Sequence, residues 1–378
     1  MPIRSQYEAL HNFTRKISES FERKGFVCRL ISPENFFKIP VENPPDLTFG
    51  LNGVPINSDG TLLCDLIEVP HFAYLIDPPY RFFKIFKSPY LEVGCDDRYC
   101  CEFLKKFGFD KAYFLPHGVD QTIYGDPREK KKYEVLMLAT YIDYESLRNS
   151  WREHFPKIVS QIMDDAIEMT FSDDSTSFIQ AFALCYMDRL DNDPLASWSH
   201  EELTFILSLL EEYIKGKERV DLITSIKDAK ILLLNGHPSG KKGWESVLKD
   251  DFKNISLIES INYEKGIEIM KESKIVLNSF SKNKEGGHDR IFNGFAAGAL
   301  VLTNENIFMK ENFEDEKNIL FYSPRNFSNV NEKLNKYLSN DSLREVIALR
   351  GREEVMAHHT WDCRIDELIK NGNFLSKN

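Results

Sequence analysis

The sequence predicts an α/β protein of two doubly wound domains, and three features carry that expectation. Apolar runs of four to six residues recur along most of the chain, bounded by Gly, Pro, Asn or Asp. Runs of this length read as strands buried on both faces of a parallel sheet. Helical segments separate them, as right-handed crossovers require. At 378 residues the chain also exceeds one ordinary core and fits two.

The elements follow in order. The stretch MPIRSQYEALHNFTRKISESFERKGF is amphipathic and charged throughout, a helix expected to pack on the first domain. A first group of strands comprises FVCRLI (26–31), LTFGL (47–51), FAYLI (72–76), LEVGC (91–95) and AYFLP (112–116). The polar segment GDPREKKKYE (125–134), punctuated by Gly and Pro, is the linker. It sets the domains at 1–127 and 128–378. The second group opens with VLMLAT (135–140) and continues after a mostly helical insert at about 144–229. Its remaining strands are ILLLNG (231–236), ISLIE (255–259), IVLNSF (275–280), LVLTN (300–304) and ILFYS (319–323). HHTWDCRIDELIK forms the last helix.

Composition narrows the function. A hydrophobic fraction of 42% and a charged fraction of 28% are those of a globular protein. The net charge of −11 argues against a nucleic-acid partner, because phosphate binding is driven by clustered Lys and Arg. Seven cysteines, an odd number without a C-x-x-C pair, read as reduced and buried thiols. No signal peptide and no run near ~20 apolar residues is visible, so no transmembrane segment is expected and the cytoplasm is the expected location. No metal is indicated: His358 and His359 are adjacent rather than spaced for one helix face.

Ligands of open α/β sheets bind beyond the carboxyl ends of the strands, so the residues just after each apolar run are the site candidates. After IVLNSF comes SKNKEGGHDR. Gly286 and Gly287 would let the backbone approach an anion, and the amides of His288, Asp289 and Arg290 would open a helix toward it. Ile291, Phe292, Phe295 and Ala296 are expected to face the sheet. Gly294 and Ala297 lie on the other side with Arg290, which would clamp a diphosphate. Gly236 and Lys242 in HPSGKKGW, and Thr140 and Tyr141 after VLMLAT, add donors and hydroxyls at the same edge. In the first domain Asp77 is the first candidate for a general base and His117 the second. His71 reads as a satisfied core or edge residue.

The segments PDLTFGLNG, FAYLIDPPYRF, LEVGCDDRYCCEFLKKFGF, FLPHGVD, SKIVLNSF, GGHDRIFNGFAAGALVLTN, NILFYS and HHTWDCRIDEL together resemble the CgeB-like and related bacterial glycosyltransferases of the GT-B fold, over roughly residues 45–370. The resemblance implies two Rossmann-like domains facing across a cleft, with the last helix often crossing back to the first. It further implies metal-independent transfer of a sugar from a nucleotide-sugar, UDP-linked on family grounds, to an acceptor held by the first domain, for which a glycan, lipopolysaccharide, protein or small molecule would all suit. No cofactor beyond that co-substrate is implied. Retaining relatives carry Glu-x7-Glu before the A-x-G turn, the first Glu on the donor sugar and the second on the ribose. Here Glu285 fills the first position and Asn293 the second, a departure that leaves the stereochemical course open. A nucleotide-sugar 2-epimerase of the same fold and a non-catalytic two-lobed binding protein are the alternatives.

Overall fold

The structure is a computed structural model that describes residues 8–39, 43–235, 243–248, 252–259 and 261–372. The chain forms two compact units, one of residues up to Gln121 together with those from His358 on, the other of Thr122–Ala357.

The first unit opens with α1 (Ala9–Arg23), which buries Phe13, Ile17 and Phe21. Their spacing of four puts all three on one face. β1 (Thr48–Leu51), α2 (Leu63–Ile67), β2 (His71–Leu75), β3 (Leu91–Cys95), α3 (Arg98–Lys106) and β4 (Ala112–Phe114) follow. The strands pair in chain order, all parallel. β2 and β3 are buried at every position, as their unbroken sequences anticipate. Asp97 caps α3 by accepting from the Tyr99 amide at 3.0 Å. The expected strand FVCRLI does not form: residues 26–32 carry no regular structure, Val27 is fully exposed and Leu30 about half so. Propensity alone does not make a strand without a neighbour to pair with, and the described ladder ends at β1.

The second unit begins with β5 (Tyr133–Leu138). The helical insert comprises α4 (Tyr144–His154), α5 (Lys157–Ser172), α6 (Phe178–Leu190), α7 (Pro194–Ser197) and α8 (His200–Ser225). β6 (Ile231–Leu234), β7 (Ile255–Ile258), α9 (Tyr263–Lys271), β8 (Ser273–Leu277), α10 (Asp289–Ala296), β9 (Leu300–Asn304), α11 (Ile307–Asn312), β10 (Leu320–Tyr322), α12 (Ser328–Leu338) and α13 (Asp341–His358) complete it. A reciprocal capping box starts α8, Ser199 and Glu202 each accepting from the other's backbone amide. The strand order is β10-β9-β8-β5-β6-β7, all parallel. The chain therefore starts mid-sheet, builds to one edge, then returns and builds to the other. Its topological switch point lies between β5 and β8, where a doubly wound sheet opens a crevice.

The last helix, α14 (Trp361–Asn371), belongs to the first unit. Arg23 of α1 grips the Asp362 carboxylate through Nε and Nη2, and Lys24 pairs with Asp366 at 2.6 Å. The Val119 amide donates to His359 and the Trp361 amide to Val119, both at 2.9 Å. The units thus divide six residues before the boundary expected after 127, and residues 358–372 leave the second domain. Residues 122–127 fall in the second unit because the Gly125 amide donates to the Ala296 carbonyl at 3.0 Å.

Candidate functional site

The segment after β8, residues 278–288, is fixed at most of its steps. The Asn278 carbonyl accepts from the Tyr322 hydroxyl at 3.0 Å, and the Phe280 amide donates to Asn304 Oδ1 at 2.7 Å. Glu218 of α8 accepts from both the amide and the hydroxyl of Ser281, at 3.0 and 2.5 Å. The Asn306 side-chain amide donates to the Gly286 carbonyl at 2.9 Å, and the Ile307 amide to Lys284 at the same distance. Lys284 is itself buried, its Nζ donating to the Thr170 carbonyl of α5. Burial holds the Lys284 ammonium below its ordinary pKa and the Glu218 carboxyl above its own. A backbone satisfied this fully is preorganised.

The small residues of this region have packing causes. A Cβ at Gly287 would stand 2.7 Å from the Phe292 ring and 3.1 Å from that of Phe308. Gly294 does not face away from the sheet as expected: a Cβ there would lie 3.0 Å from Val301 and 3.3 Å from Val276. From Ile291 to Ala296 α10 is buried at every position, and Gly294 marks a close approach to β8 and β9. A Cβ on Gly125 would fall 1.9 Å from the Ala297 carbonyl, which accounts for the close approach on that side too. Gly298, at φ +74°, ends the helix in a Schellman motif, its amide donating to Phe295 and that of Ala299 to Gly294. This turn leads Ala-Gly-Ala directly into β9.

At the start of α10, Arg290 reaches across the switch point, Nη1 donating to the carbonyl of Leu138, the last residue of β5, at 2.7 Å. Its Nη2 lies 3.0 Å from His288 Nε2, while His288 Nδ1 lies 2.6 Å from Asp289 Oδ1. A guanidinium only donates, so Nε2 accepts and the ring proton sits on Nδ1, directed at Asp289. The Arg290 amide is also 3.2 Å from Nδ1, but that nitrogen cannot accept from it while protonated.

Two further side chains converge on the same connection. Trp244 Nε1 donates to the Ala139 carbonyl and Arg219 Nη1, from α8, to that of Thr140, both at 2.9 Å. Three consecutive carbonyls, from the last residue of β5 to Thr140, are thus held from α10, from the turn at 244 and from the helical insert. Burial, reinforced by the Arg290 charge, pushes Arg219 down to about 10. Glu212, Glu218 and Glu211 offset part of the repulsion. Two guanidinium groups that bond carbonyls two residues apart at the carboxyl edge of a parallel sheet, and repel one another, make a place where an anion lowers the energy.

Other expected residues are placed differently. Tyr141 is buried with its ring edge-on against Trp244, which takes its side chain into the core; Thr140 stays half-buried at the sheet edge. Asn293 is buried, its Oδ1 accepting from the Tyr263 hydroxyl at 3.0 Å and its Nδ2 reaching Asp289 at 3.5 Å. Those bonds tie α9 to α10. Glu285 is half-buried within the fixed segment. Gly236 and Lys242 lie outside the described residues.

In the first unit Asp77 follows β2 and is oriented by Asn52, whose Nδ2 donates to Asp77 Oδ2 at 2.8 Å. Asn52 Oδ1 accepts from the amides of Ile76 and Asp77 at 2.9 and 3.1 Å. A half-buried carboxylate is thereby fixed at the carboxyl ends of β1 and β2. His117 is a correction to the expected set: its ring is 5% exposed and enclosed by Phe13, Tyr74 and Trp361, with centroids 5.5, 6.2 and 5.9 Å away. Aromatic enclosure denies a base the access that proton transfer needs. His71 is buried and bonded at both nitrogens, to Gly53 and Thr48, and burial lowers its pKa to about 4.

Residues 219–370 match the family model described as glycosyl transferase-like. This segment, 152 of the 378 residues, is similar to glycosyltransferase-like domains. The two parallel-sheet units have the architecture of GT-B glycosyltransferases. Sucrose-phosphate synthase from Thermosynechococcus elongatus superposes with a TM-score of 0.53 at 10% identity, covering 95% of this chain and 91% of that one. AviGT4, a glycosyltransferase involved in avilamycin A biosynthesis, gives 0.50 at 9% identity, with 94% and 86% covered. TarM of S. aureus gives 0.47 at 11% identity over 81% of this chain, which spans only 55% of TarM. No curated protein sequence matches the chain.

The second unit also brings to this edge residues that sequence reasoning passed over, chiefly Glu218, Arg219 and Trp244. The charges in KGKERVDL give no sign of burial, and only its glycine is a signal, since Gly in a helix interior suggests close approach. A Cβ at Gly216 would stand 3.0 Å from Ile142 and Tyr144, on the β5–α4 connection. All seven cysteines are thiols, five buried and Cys28 and Cys363 half-buried. Among the described residues no helix is long and apolar enough to cross a membrane.

Proposed function

We propose that the protein transfers a sugar from a UDP-linked donor to a glycan, lipopolysaccharide or protein acceptor, without a metal ion. The observation that carries this reading is Arg290 lying on the Leu138 carbonyl at the switch point, with Arg219 beside it. In this reading the pyrophosphate sits at the start of α10, where Arg290 and the helix dipole stabilise the charge that grows as the anomeric C–O bond breaks. Glu285 hydrogen-bonds the donor sugar. Asp77 takes the proton of the acceptor hydroxyl, whose oxygen bonds to the anomeric carbon while UDP departs with the bonding electrons. A single base of this kind implies inversion at that carbon, in accord with Asn293 standing where retaining relatives carry a second Glu. The thiols suit a reducing compartment, and we place the protein in the cytoplasm.

Thermal-shift measurements with UDP, GDP, ADP and dTDP test the reading. UDP at a hundredfold excess over its Kd should stabilise by about 2.7 kcal/mol, and Arg290→Ala should remove the effect. Indifference to all four nucleotides refutes it. Asp77→Asn should abolish transfer while leaving UDP affinity nearly intact; equal turnover would remove Asp77 from the mechanism. Conversion of a UDP-sugar incubated alone would mark a 2-epimerase instead.

A further inference from the structure

The helical insert interrupts the crossover from β5 to β6, and its last helix carries two consecutive buried charges in its carboxy-terminal third. Glu218 is 2% exposed and Arg219 8%. Burying a carboxylate and a guanidinium is costly unless each is bonded, and an apolar pair in their place would often stabilise the fold more. Neighbours on a helix point about 100° apart, so the two side chains diverge. Glu218 takes the amide and hydroxyl of Ser281 in the segment after β8, with the Tyr322 hydroxyl at 3.3 Å on Oε1. Arg219 takes the Thr140 carbonyl in the connection after β5. β5 and β8 are the two strands that flank the switch point.

We propose that α8 of the helical insert is part of the donor site, with Glu218 and Arg219 as its positioning residues: Glu218 fixes the segment 278–288, and Arg219 fixes the β5–α4 connection and adds a second positive charge beside Arg290. The inference rests on the donor reading above. The insert is then a working wall of the phosphate site, and affinity for a diphosphate depends on a helix that ends 64 residues before Asp289 in the chain, counting from Ser225. Charge of the same sign as Arg219 continues along the insert edge through Lys215 and Lys282, both held by Glu211, at 3.9 and 2.5 Å. Arg219 bonds the Thr140 carbonyl, two residues from the Leu138 carbonyl that Arg290 holds, and it feels the Arg290 charge.

The test uses the full chain with Arg219→Gln, Arg219→Lys and Glu218→Gln, measuring UDP and uridine binding by calorimetry and competition, and amide hydrogen exchange over 278–288. Arg219→Gln should weaken UDP about tenfold, as loss of one charge-assisted interaction does, with uridine affinity unchanged. Arg219→Lys, which keeps the charge, should recover most of that loss. Glu218→Gln should speed exchange in 278–288 severalfold without lowering the melting temperature by a comparable share of the global stability. UDP affinity unchanged in Arg219→Gln but lost in Arg290→Ala overturns the inference alone. So does an equal loss for UDP and uridine that Lys does not rescue, which would mark a merely structural role. Should Arg219→Gln not fold, unaltered exchange in Glu218→Gln together with UDP loss in Arg219→Lys as large as in Arg290→Ala overturns it. Wild-type protein that binds no UDP brings down the donor reading, and this inference with it.

Discussion

Arg290 and Gly298 show how much a single residue decides here. Arg290 combines a backbone contact at the end of β5 with a histidine whose tautomer is set by Asp289. Arg290→Lys keeps the charge but not the planar fork, so it should bind UDP more weakly than wild type and more tightly than Arg290→Ala in calorimetry. Gly298→Ala adds a Cβ 2.5 Å from the Gly125 carbonyl oxygen at φ +74°. The left-handed conformation alone costs about 1 kcal/mol and the clash adds to it, so urea denaturation should show a loss of roughly 2 kcal/mol or more. The place of Arg290 at a helix start was legible because Gly-Gly-His-Asp-Arg follows a strand and opens a helix, a local pattern. His117 was misread because its surroundings are not local. Gly118 beside it is small to clear the Trp361 ring, 2.6 Å from where its Cβ would be, and nothing in the sequence links residues that far apart.

At the scale of elements, the strands were legible wherever they are buried on both faces, since burial forces an unbroken apolar run. FVCRLI has the composition without the neighbour. α10 forms where its sequence predicts, but Gly294 faces the sheet rather than the other side, because from Ile291 to Ala296 every position is buried and the apolar pattern does not fix the rotation. The connection after β5 was the least legible part, since its carbonyls are held by Arg219, Trp244 and Arg290 from three separate elements. Trp244→Phe keeps the ring and removes the donor to Ala139. Chemical denaturation should show a cost of about 1–3 kcal/mol for the buried carbonyl left unpaired.

Across the whole molecule, two of the buried histidines of the first unit, His71 and His359, contribute to its response to acid. Burial lowers His71 to about 4, and burial with the nearby Arg364 charge lowers His359 to about 3. The unfolded chain protonates both near pH 6.5 while the folded one does not, so the unfolded state binds more protons below that pH. Stability contributed at neutral pH is therefore lost as pH falls from about 6.5 toward 4, by up to about 1.4 kcal/mol per pH unit for each ring. The urea midpoint of the first unit should drop between pH 7 and pH 5, and His71→Asn should flatten that slope. The domain count followed from chain length and strand grouping, but the boundary did not. Its position depends on the Gly125–Ala296 hydrogen bond and on α14 returning to α1, neither of which leaves a compositional trace.

That return makes the first unit discontinuous, and the order of synthesis acquires a penalty. Phe13 and His117 must wait for Trp361, so the amino-terminal half leaves the ribosome with part of its core unsealed and closes only when the last helix emerges. A chain truncated before His358 would carry every strand of its first sheet yet expose that aromatic cluster to water, a species that chaperones should retain and proteases should find first.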